Sequence, residues 1–303
     1  MKRILFILLL TTPFVGFGQT EYKDYHENGK LKYEGFIKDG KPHGFWKGYL
    51  ENGQLEFEGN HTDGKKEGVW NYYTNGELKT IGKFKNDLRY GEWKFYFNYK
   101  SRHLEQIDNY KNDQLDGLMT VYYQYPKNQI RSTGNYKKGV VEGFSKMYYE
   151  SGQLKSEGNY INGKGEGSWI SYYEGGQLKV EGWFIDGKED GLWRSYHKNG
   201  QIRSITPYLN GEVYGFVQEF NDKGEIIYQE NYLNSKEEGV FQDWYNNGKL
   251  KYKVSFQNEK GLGVWKFYYE SGSLKQEIKW DDVEHTKFYM TCWDENGNEI
   301  KCN

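Results

Sequence analysis

The sequence predicts an all-β fold, an elongated, twisted single sheet built from about ten two-stranded antiparallel hairpins. Three features predict it: a glycine that recurs every 23 to 26 residues, strand-like alternation between the glycines, and two pairs of turn-forming residues in each period. We call the recurring residues the register glycines. They are Gly44, Gly68, Gly91, Gly117, Gly143, Gly167, Gly191, Gly215, Gly239 and Gly263.

Aromatic residues occupy fixed places in every period. The residue five positions after a register glycine is always aromatic, as at Tyr172, and the residue two positions after it is tryptophan in six of ten copies. These tryptophans are predicted to form the core, with exposed ligand platforms as the alternative. Because the two aromatics are three residues apart, we expect a bulge between them or side chains on opposite faces. The tryptophans are Trp46, Trp70, Trp93, Trp169, Trp193 and Trp265.

The strand that precedes each register glycine alternates between apolar or small residues and charged ones. In the copy that starts at Leu154, every second residue up to Tyr160 is apolar or small, and the residues between them are polar or charged. This pattern is typical of a strand with one solvated face. The first charged position is basic in most copies, and we predict that it faces solvent. Its basic members include Lys79, Arg131, Lys155, Lys179, Arg203, Lys251 and Lys275.

Two turns in each period separate the strands. Pairs such as Asn162-Gly163 lie between the two strands of a hairpin, and pairs such as Ser151-Gly152 lie between successive hairpins. Asn, Asp and Gly adopt the positive φ of tight turns at low cost. Two turns per period therefore predict two antiparallel strands per repeat.

The N-terminus has the pattern of a secretory signal peptide. Lys2 and Arg3 precede an apolar run that ends at Phe17, and small residues stand before a cleavage point after Gly18. We therefore predict a signal peptide over 1–18, a repeat array over 19–280 and a C-terminal capping hairpin over 281–303. The run is too short for a typical membrane span. The predicted location is periplasmic or extracellular.

The charge balance argues against nucleic acid as a partner. Cleavage after residue 18 would lower the number of basic residues from 41 to 39, against 43 acidic ones, so nucleic acid is not an expected partner.

Cys292 and Cys302 are the only cysteines and lie symmetrically about Gly297. A hairpin with its loop at 296–298 would place them directly opposite each other, and an exported chain permits the disulfide. Two free thiols are the alternative.

The repeat consensus resembles a known family. The run from Asn52-Gly53 through Leu55 to Gly68-Val69-Trp70 resembles the bacterial variant of the MORN repeat, in proteins described as the YwqK-like antitoxin family of toxin and antitoxin systems. The resemblance covers roughly residues 25 to 280. It implies hairpin repeats that serve as interaction scaffolds, some of them proposed to act at membranes, and it brings no catalytic residues. Antitoxins act in the cytoplasm, whereas this chain carries an export signal.

The residues themselves indicate no enzyme. The six histidines have no metal-ligand spacing, the glycine-rich stretches are turns, and a residue present in every repeat cannot be the unique residue of an active site. His61 replaces an aromatic and is predicted to pack. No cofactor or metal is expected. The sequence favours a scaffold that binds a protein or peptide. The alternative is a cell-wall glycan-binding or choline-binding repeat protein, or one that contacts a membrane surface.

The predicted binding site lies where the repeats are irregular. The repeats of Gly91 and Gly117 are each two residues longer than the others and lack the second turn glycine. Insertions in repeat proteins map to loops on one face, often the binding face. Neutral drift in a tolerant turn is the alternative. The candidate binding residues are Tyr99, Arg102, His103, Tyr123, Tyr125 and Lys127.

Overall fold

The computed structural model describes residues 18–97, 103–124, 126, 128–233, 236–257, 260–280 and 288–302. These residues form 28 strands and no helix. The chain divides into unit 1, Met1–Asp116, and unit 2, Gly117–Asn303. In both units each strand pairs antiparallel with its neighbour in the chain. The prediction of an all-β array of antiparallel hairpin repeats is confirmed.

Unit 1 contains nine strands. They are β1 (Thr20–Tyr25), β2 (Leu31–Lys38), β3 (Lys41–Tyr49), β4 (Leu55–Thr62), β5 (Lys65–Thr74), β6 (Glu77–Lys85), β7 (Leu88–Tyr96), β8 (Leu104–Lys111) and β9 (Gln114–Leu115).

Unit 2 contains nineteen strands, several of which are short pieces of one strand that a bulge interrupts. They are β10 (Gly117–Tyr122), β11 (Ile130–Lys137), β12 (Val140–Tyr148), β13 (Leu154–Ile161), β14 (Lys164–Tyr172), β15 (Leu178–Ile185), β16 (Lys188–Tyr196), β17 (Ile202–Leu209), β18 (Glu212–Val213), β19 (Gly215–Phe220), β20 (Ile226–Leu233), β21 (Lys236–Glu237), β22 (Gly239–Trp244), β23 (Leu250–Gln257), β24 (Lys260–Gly261), β25 (Val264–Tyr268), β26 (Leu274–Trp280), β27 (Phe288–Trp293) and β28 (Glu299–Ile300).

Most of the described turns within hairpins have the conformation that their residues favour. Asn162 and Gly163, between β13 and β14, have φ of 50° and 81°. Positive φ at both central residues matches the right-handed twist of the flanking strands. The turns also bond from one repeat to the next, since the Gly163 N–H donates to the carbonyl of Val141 at 3.0 Å. Stacked turns therefore hold successive hairpins in register.

Each register glycine lies in a bulge. In the β13–β14 ladder, Gly158 pairs with Trp169 but Tyr160 pairs with Gly165, so three residues of β14 face the single residue Asn159. Gly167 is at the centre of this bulge with φ of 80°. A side chain at that φ would be strained, which explains why glycine recurs there.

A second bulge lies near the other end of each hairpin. Ser171 pairs with Val180, whereas Tyr172 pairs with Leu178, so Lys179 is an extra residue in β15. The same shift recurs in unit 1, where Tyr72 and Tyr73 face Thr80 and Leu78. This bulge adds its residue to the strand that pairs with the aromatic strand, so it does not change which faces the aromatics of β14 occupy.

Candidate binding site

All of the six tryptophans except Trp265 pack on a glycine of the neighbouring strand. The Trp70 ring lies on Gly59, where an added Cβ would be 2.3 Å from the ring atom Cδ2. Its Nε1–H donates to the carbonyl of Asn60 at 3.1 Å, next to the shift in the β4–β5 ladder. Trp46, Trp93, Trp193 and Trp265 make the equivalent hydrogen bond. The indole thus satisfies a carbonyl beside the bulge, as buried polar groups require.

In unit 1 these rings form a buried row. Trp46, Trp70 and Trp93 are buried, and Trp70 is only 1% exposed. Phe57 stacks on Trp70 at 5.7 Å, and His61 lies edge-on to it at 5.0 Å. His61 therefore packs as an aromatic.

Lys66 covers the Trp70 ring. Its Nζ is 4.3 Å from the ring centroid and donates to the hydroxyl of Tyr72 at 2.9 Å. Burial lowers the pKa of Lys66. Burial, and next the charge of Lys66, also lower the pKa of His61. The aromatic face of unit 1 is therefore closed by its own side chains.

In unit 2 the tryptophans are less completely covered than the predicted core implies. Trp169, Trp193 and Trp265 are only half-buried. The physical reason lies in the adjoining positions, where unit 1 places Phe57 and Tyr72. Around Trp169 and Trp193, unit 2 places small residues at these positions, among them Ser156, Ser171, Ser195 and Ser204. These small side chains leave the two rings partly open to solvent. Beside Trp265 the same positions hold Tyr252 and Phe267, so small neighbours do not explain its exposure.

The aromatic residue five positions after each register glycine faces the opposite side of the sheet. Tyr49, Tyr73 and Tyr196 donate their hydroxyls to Glu34, Glu58 and Glu181, respectively, at 2.6 to 2.7 Å. Burial, followed by the hydrogen bond to the glutamate, raises the pKa of Tyr49 and of Tyr196 to about 12. Tryptophan and tyrosine therefore do not share one aromatic face, and of the two alternatives that their spacing allowed, the structure shows opposite faces.

The basic row of the sequence coincides with the second bulge. Arg131, Lys155, Lys179 and Arg203 are the extra residues in four successive ladders of unit 2, and all four are exposed. In unit 1 the same position alternates in sign, and Lys79 Nζ forms an ion pair with Glu105 at 2.8 Å. The four cations of unit 2 have no acidic residue between them in this row.

Two of these cations line a cavity of about 320 Å³ at the start of unit 2. Its walls are Val121, Tyr123, Arg131, Ser132, Met147, Tyr148 and Lys155. Arg131 and Ser132 are consecutive residues, so flat alternation would place them on opposite faces. The bulge at Arg131 re-aims its side chain, and both residues line the same cavity.

The structure describes two of the six candidate binding residues. Tyr123 belongs to unit 2, lines the cavity and donates its hydroxyl to the carbonyl of Tyr148 at 2.7 Å. His103 belongs to unit 1, where its carbonyl accepts from the N–H of Phe97 at 3.0 Å. The remaining candidates, Tyr99, Arg102, Tyr125 and Lys127, lie outside the described residues.

Sequence reasoning missed Arg131 and Lys155 as cavity residues. It placed both in a solvated charge row, because alternation along a strand cannot reveal which residue a bulge will re-aim. The odd spacing of Trp and Tyr follows from their positions on opposite faces, so it gave no signal for a bulge in the partner strand.

Unit 2 also exposes a row of apolar side chains on the face away from the tryptophans. The residue directly after each register glycine is apolar in six of the seven copies of unit 2, and Phe144 and Phe216 are 62% and 53% exposed. In the copy where this residue is Ser168, the paired residue on the next strand is Trp183, which is 50% exposed. We call this set the exposed apolar row: Leu118, Phe144, Trp183, Leu192, Phe216, Val240 and Val264.

The last described hairpin carries a disulfide between Cys292 and Cys302, whose Cα atoms are 5.4 Å apart. The prediction that the two cysteines face each other directly is wrong, since Cys292 pairs with Ile300. The reason is the turn. The Asp294 carboxylate accepts from the backbone N–H groups of Asn296 and Asn298, which centres the turn on Asn296. A hydrogen bond from the Asn298 side-chain amide, followed by these backbone hydrogen bonds, lowers the pKa of Asp294.

The described residues contain no cluster of His, Cys, Asp and Glu side chains that could hold a metal ion. No helix of sufficient length and apolarity to cross a membrane occurs among them.

Comparison with known proteins identifies the repeat. A family model described as "MORN repeat variant" matches eight segments that together cover more than half of the chain. They are residues 19–39, 42–63, 66–86, 142–162, 165–185, 189–210, 237–258 and 262–282. The unmatched interval 87–141 contains the two lengthened repeats.

Among solved structures, the chain is similar to parts of much longer proteins. The crystal structure of TcdB2-TccC3 matches with a TM-score of 0.21 and 13% identity, over 94% of this chain and 17% of that one. The TcdB2-TccC3-TEV structure matches with a TM-score of 0.20 and 13% identity, over 93% and 16%. The chain thus spans less than a fifth of these proteins, and TM-scores this low support no argument about fold or function. No curated protein matches the chain. On the repeat matches, the chain belongs to the MORN repeat variant family.

Proposed function

We propose that this protein is a non-catalytic, exported repeat scaffold that binds a protein or a peptide. The exposed apolar row of unit 2 is the observation that carries the proposal. Residues one period apart in this row are separated by two strands, or roughly 10 Å. Apolar surface that recurs at this spacing is typical of protein interaction sites, where aromatic residues supply most of the binding energy.

Export is part of the proposal. The N-terminal pattern at Lys2, Arg3 and the apolar run supports it, and so does the Cys292–Cys302 disulfide, because disulfides persist in oxidising compartments. A YwqK-like antitoxin role would make a toxin the partner, but it requires a cytoplasmic chain. We therefore favour a partner in the periplasm or outside the cell.

The geometry of unit 1 favours a protein or peptide over a glycan or choline ligand. Aromatic cages require exposed ring faces. In unit 1 the rings of Trp46, Trp70 and Trp93 are buried, and each indole N–H is bonded to a backbone carbonyl. The exposed rings of the apolar row lie on the other face of the sheet.

Site-specific photo-crosslinking in cells that make the protein tests the proposal. A photoreactive phenylalanine analogue at Phe144 or Phe216 should capture one defined protein partner, identified by mass spectrometry. The matched control places the analogue at Lys198, an exposed residue of a unit 2 turn. Equal capture at Lys198, or no protein adduct at either phenylalanine, would contradict the proposal.

A further inference from the structure

We propose that the cavity of unit 2 binds the carboxylate side chain of an acidic peptide segment that lies extended across the repeats. The inference rests on the proposed function and names the chemistry of the partner. The cavity combines two cations, a hydroxyl and an apolar floor within about 320 Å³.

The cations of the cavity are available for a ligand. Within the described part of the chain, neither the Arg131 guanidinium nor the Lys155 ammonium forms an ion pair or a side-chain hydrogen bond, and Lys155 Nζ lies 5.6 Å from the ring centroid of Tyr149. Other cations at this repeat position are engaged. Lys79 pairs with Glu105, and Lys251 Nζ pairs with Asp243 at 2.8 Å.

The remaining lining residues suit an aspartate or glutamate side chain. A guanidinium can hold both oxygens of a carboxylate, and the Ser132 hydroxyl is a further donor in the cavity. Val121 and Met147 supply apolar contact for the methylene groups. The hydroxyl of Tyr123 is already donated to the Tyr148 carbonyl, so its ring acts as a wall of the cavity. Apolar and aromatic walls reduce the screening of the two cations by water.

The repeat continues the positive charge beyond the cavity. Lys179 and Arg203 follow Lys155 at intervals of 24 residues, each interval being two strands. Two strand spacings are about 9.6 Å. A peptide in the extended polyproline II conformation advances about 3.1 Å per residue with three residues per turn, so every third side chain points to the same side. Such a peptide, lying across the strands, therefore presents a side chain to a new cation at about every third residue. The favoured ligand carries Asp or Glu at that interval.

Fluorescence anisotropy with the exported full-length protein tests this prediction. The probe is a labelled ten-residue peptide with Glu at positions 1, 4, 7 and 10 and Gly or Ser elsewhere. Arg131→Gln and Lys155→Gln should each weaken binding at least about fivefold, the scale of one charged hydrogen bond in a partly exposed site. Lys251→Gln removes the same charge from the same repeat position and should leave affinity within about twofold, because Lys251 is already paired.

A second peptide distinguishes the effect of the spacing of the Glu residues from the effect of their total charge. It has the same composition, with its four Glu residues adjacent, and should bind at least about fivefold more weakly. Equal binding of the two peptides, equal loss in Lys251→Gln, or no binding of the first peptide would overturn the proposal. Tight binding of inorganic polyphosphate with no binding of the peptide would assign the row to a different polyanion. The crosslinks at Phe144 and Phe216 do not depend on these cations. If the acidic peptide does not bind but these crosslinks still form, only the acidic-peptide inference has failed.

Discussion

Trp70→Ala is expected to destabilise unit 1 by about 4 kcal/mol. Removal of a buried tryptophan ring costs roughly 3 to 5 kcal/mol in packing and cavity terms. Trp70 is 1% exposed and contacts Gly59, Phe57 and His61, so the site cannot close without moving several rings. The substitution also removes the donor to the Asn60 carbonyl.

Trp70→Phe and Trp193→Ala separate these contributions. Trp70→Phe keeps a ring on Gly59 but loses the indole N–H, so we expect a loss of about 1 to 2 kcal/mol. Trp193 makes the equivalent hydrogen bond, to the Trp183 carbonyl at 3.2 Å, but it is only half-buried. Trp193→Ala should therefore cost less than Trp70→Ala. Lys179→Ala, at an exposed bulge position, should change stability by less than about 0.5 kcal/mol.

Native-state hydrogen exchange read by mass spectrometry is the suitable assay. Repeat proteins can open locally, so a single melting curve would merge events in different repeats. In Trp70→Ala, peptides that cover β4 to β6 should lose protection, whereas peptides that cover β13 and β14 of unit 2 serve as the internal reference. A loss below about 1 kcal/mol in β4 to β6 would refute the view that the ring is a packing element.

Three further outcomes follow from the same contacts. Gly59→Ala should cost about 1 to 3 kcal/mol because its Cβ would overlap the Trp70 ring. Gly134→Ala should be nearly neutral in urea unfolding, because the nearest atom to its Cβ would be Ser145 Oγ at 3.4 Å; equal losses in the two variants would contradict this reasoning. Replacement of Cys292 and Cys302 by Ser should destabilise the last hairpin by about 2 to 3 kcal/mol, because the unfolded chain then loses the constraint of a closed loop. Hydrogen exchange of β27 measures this loss, and unchanged exchange would refute the prediction. Because the pKa of Tyr196 is raised from 10.0 to about 12, its contribution to stability is fully present below pH 10 and is lost as the pH rises towards 12. Tyr196→Phe should flatten the dependence of the unfolding free energy on pH in this range. An unchanged dependence would contradict the Glu181 hydrogen bond.

The sequence was sufficient to predict the repeat and its strands. Local signals act over a few residues, as in the turn Asn162-Gly163 and the alternation from Leu154 to Tyr160. These signals recur with the period that the ten register glycines mark. Local preferences and period therefore agree along most of the array, which is the condition under which sequence patterns predict structure well.

Only the tertiary structure decided which side chains are buried and which are available. The same tryptophan position is buried at Trp70 and half-buried at Trp193, because burial depends on the residues of neighbouring strands. Arg131 lines a cavity because of a one-residue bulge. Alternation alone would have placed its side chain on the other face of the sheet. Pairing register is a relation between strands, and it is set by turns and bulges whose effect is felt only when the strands meet.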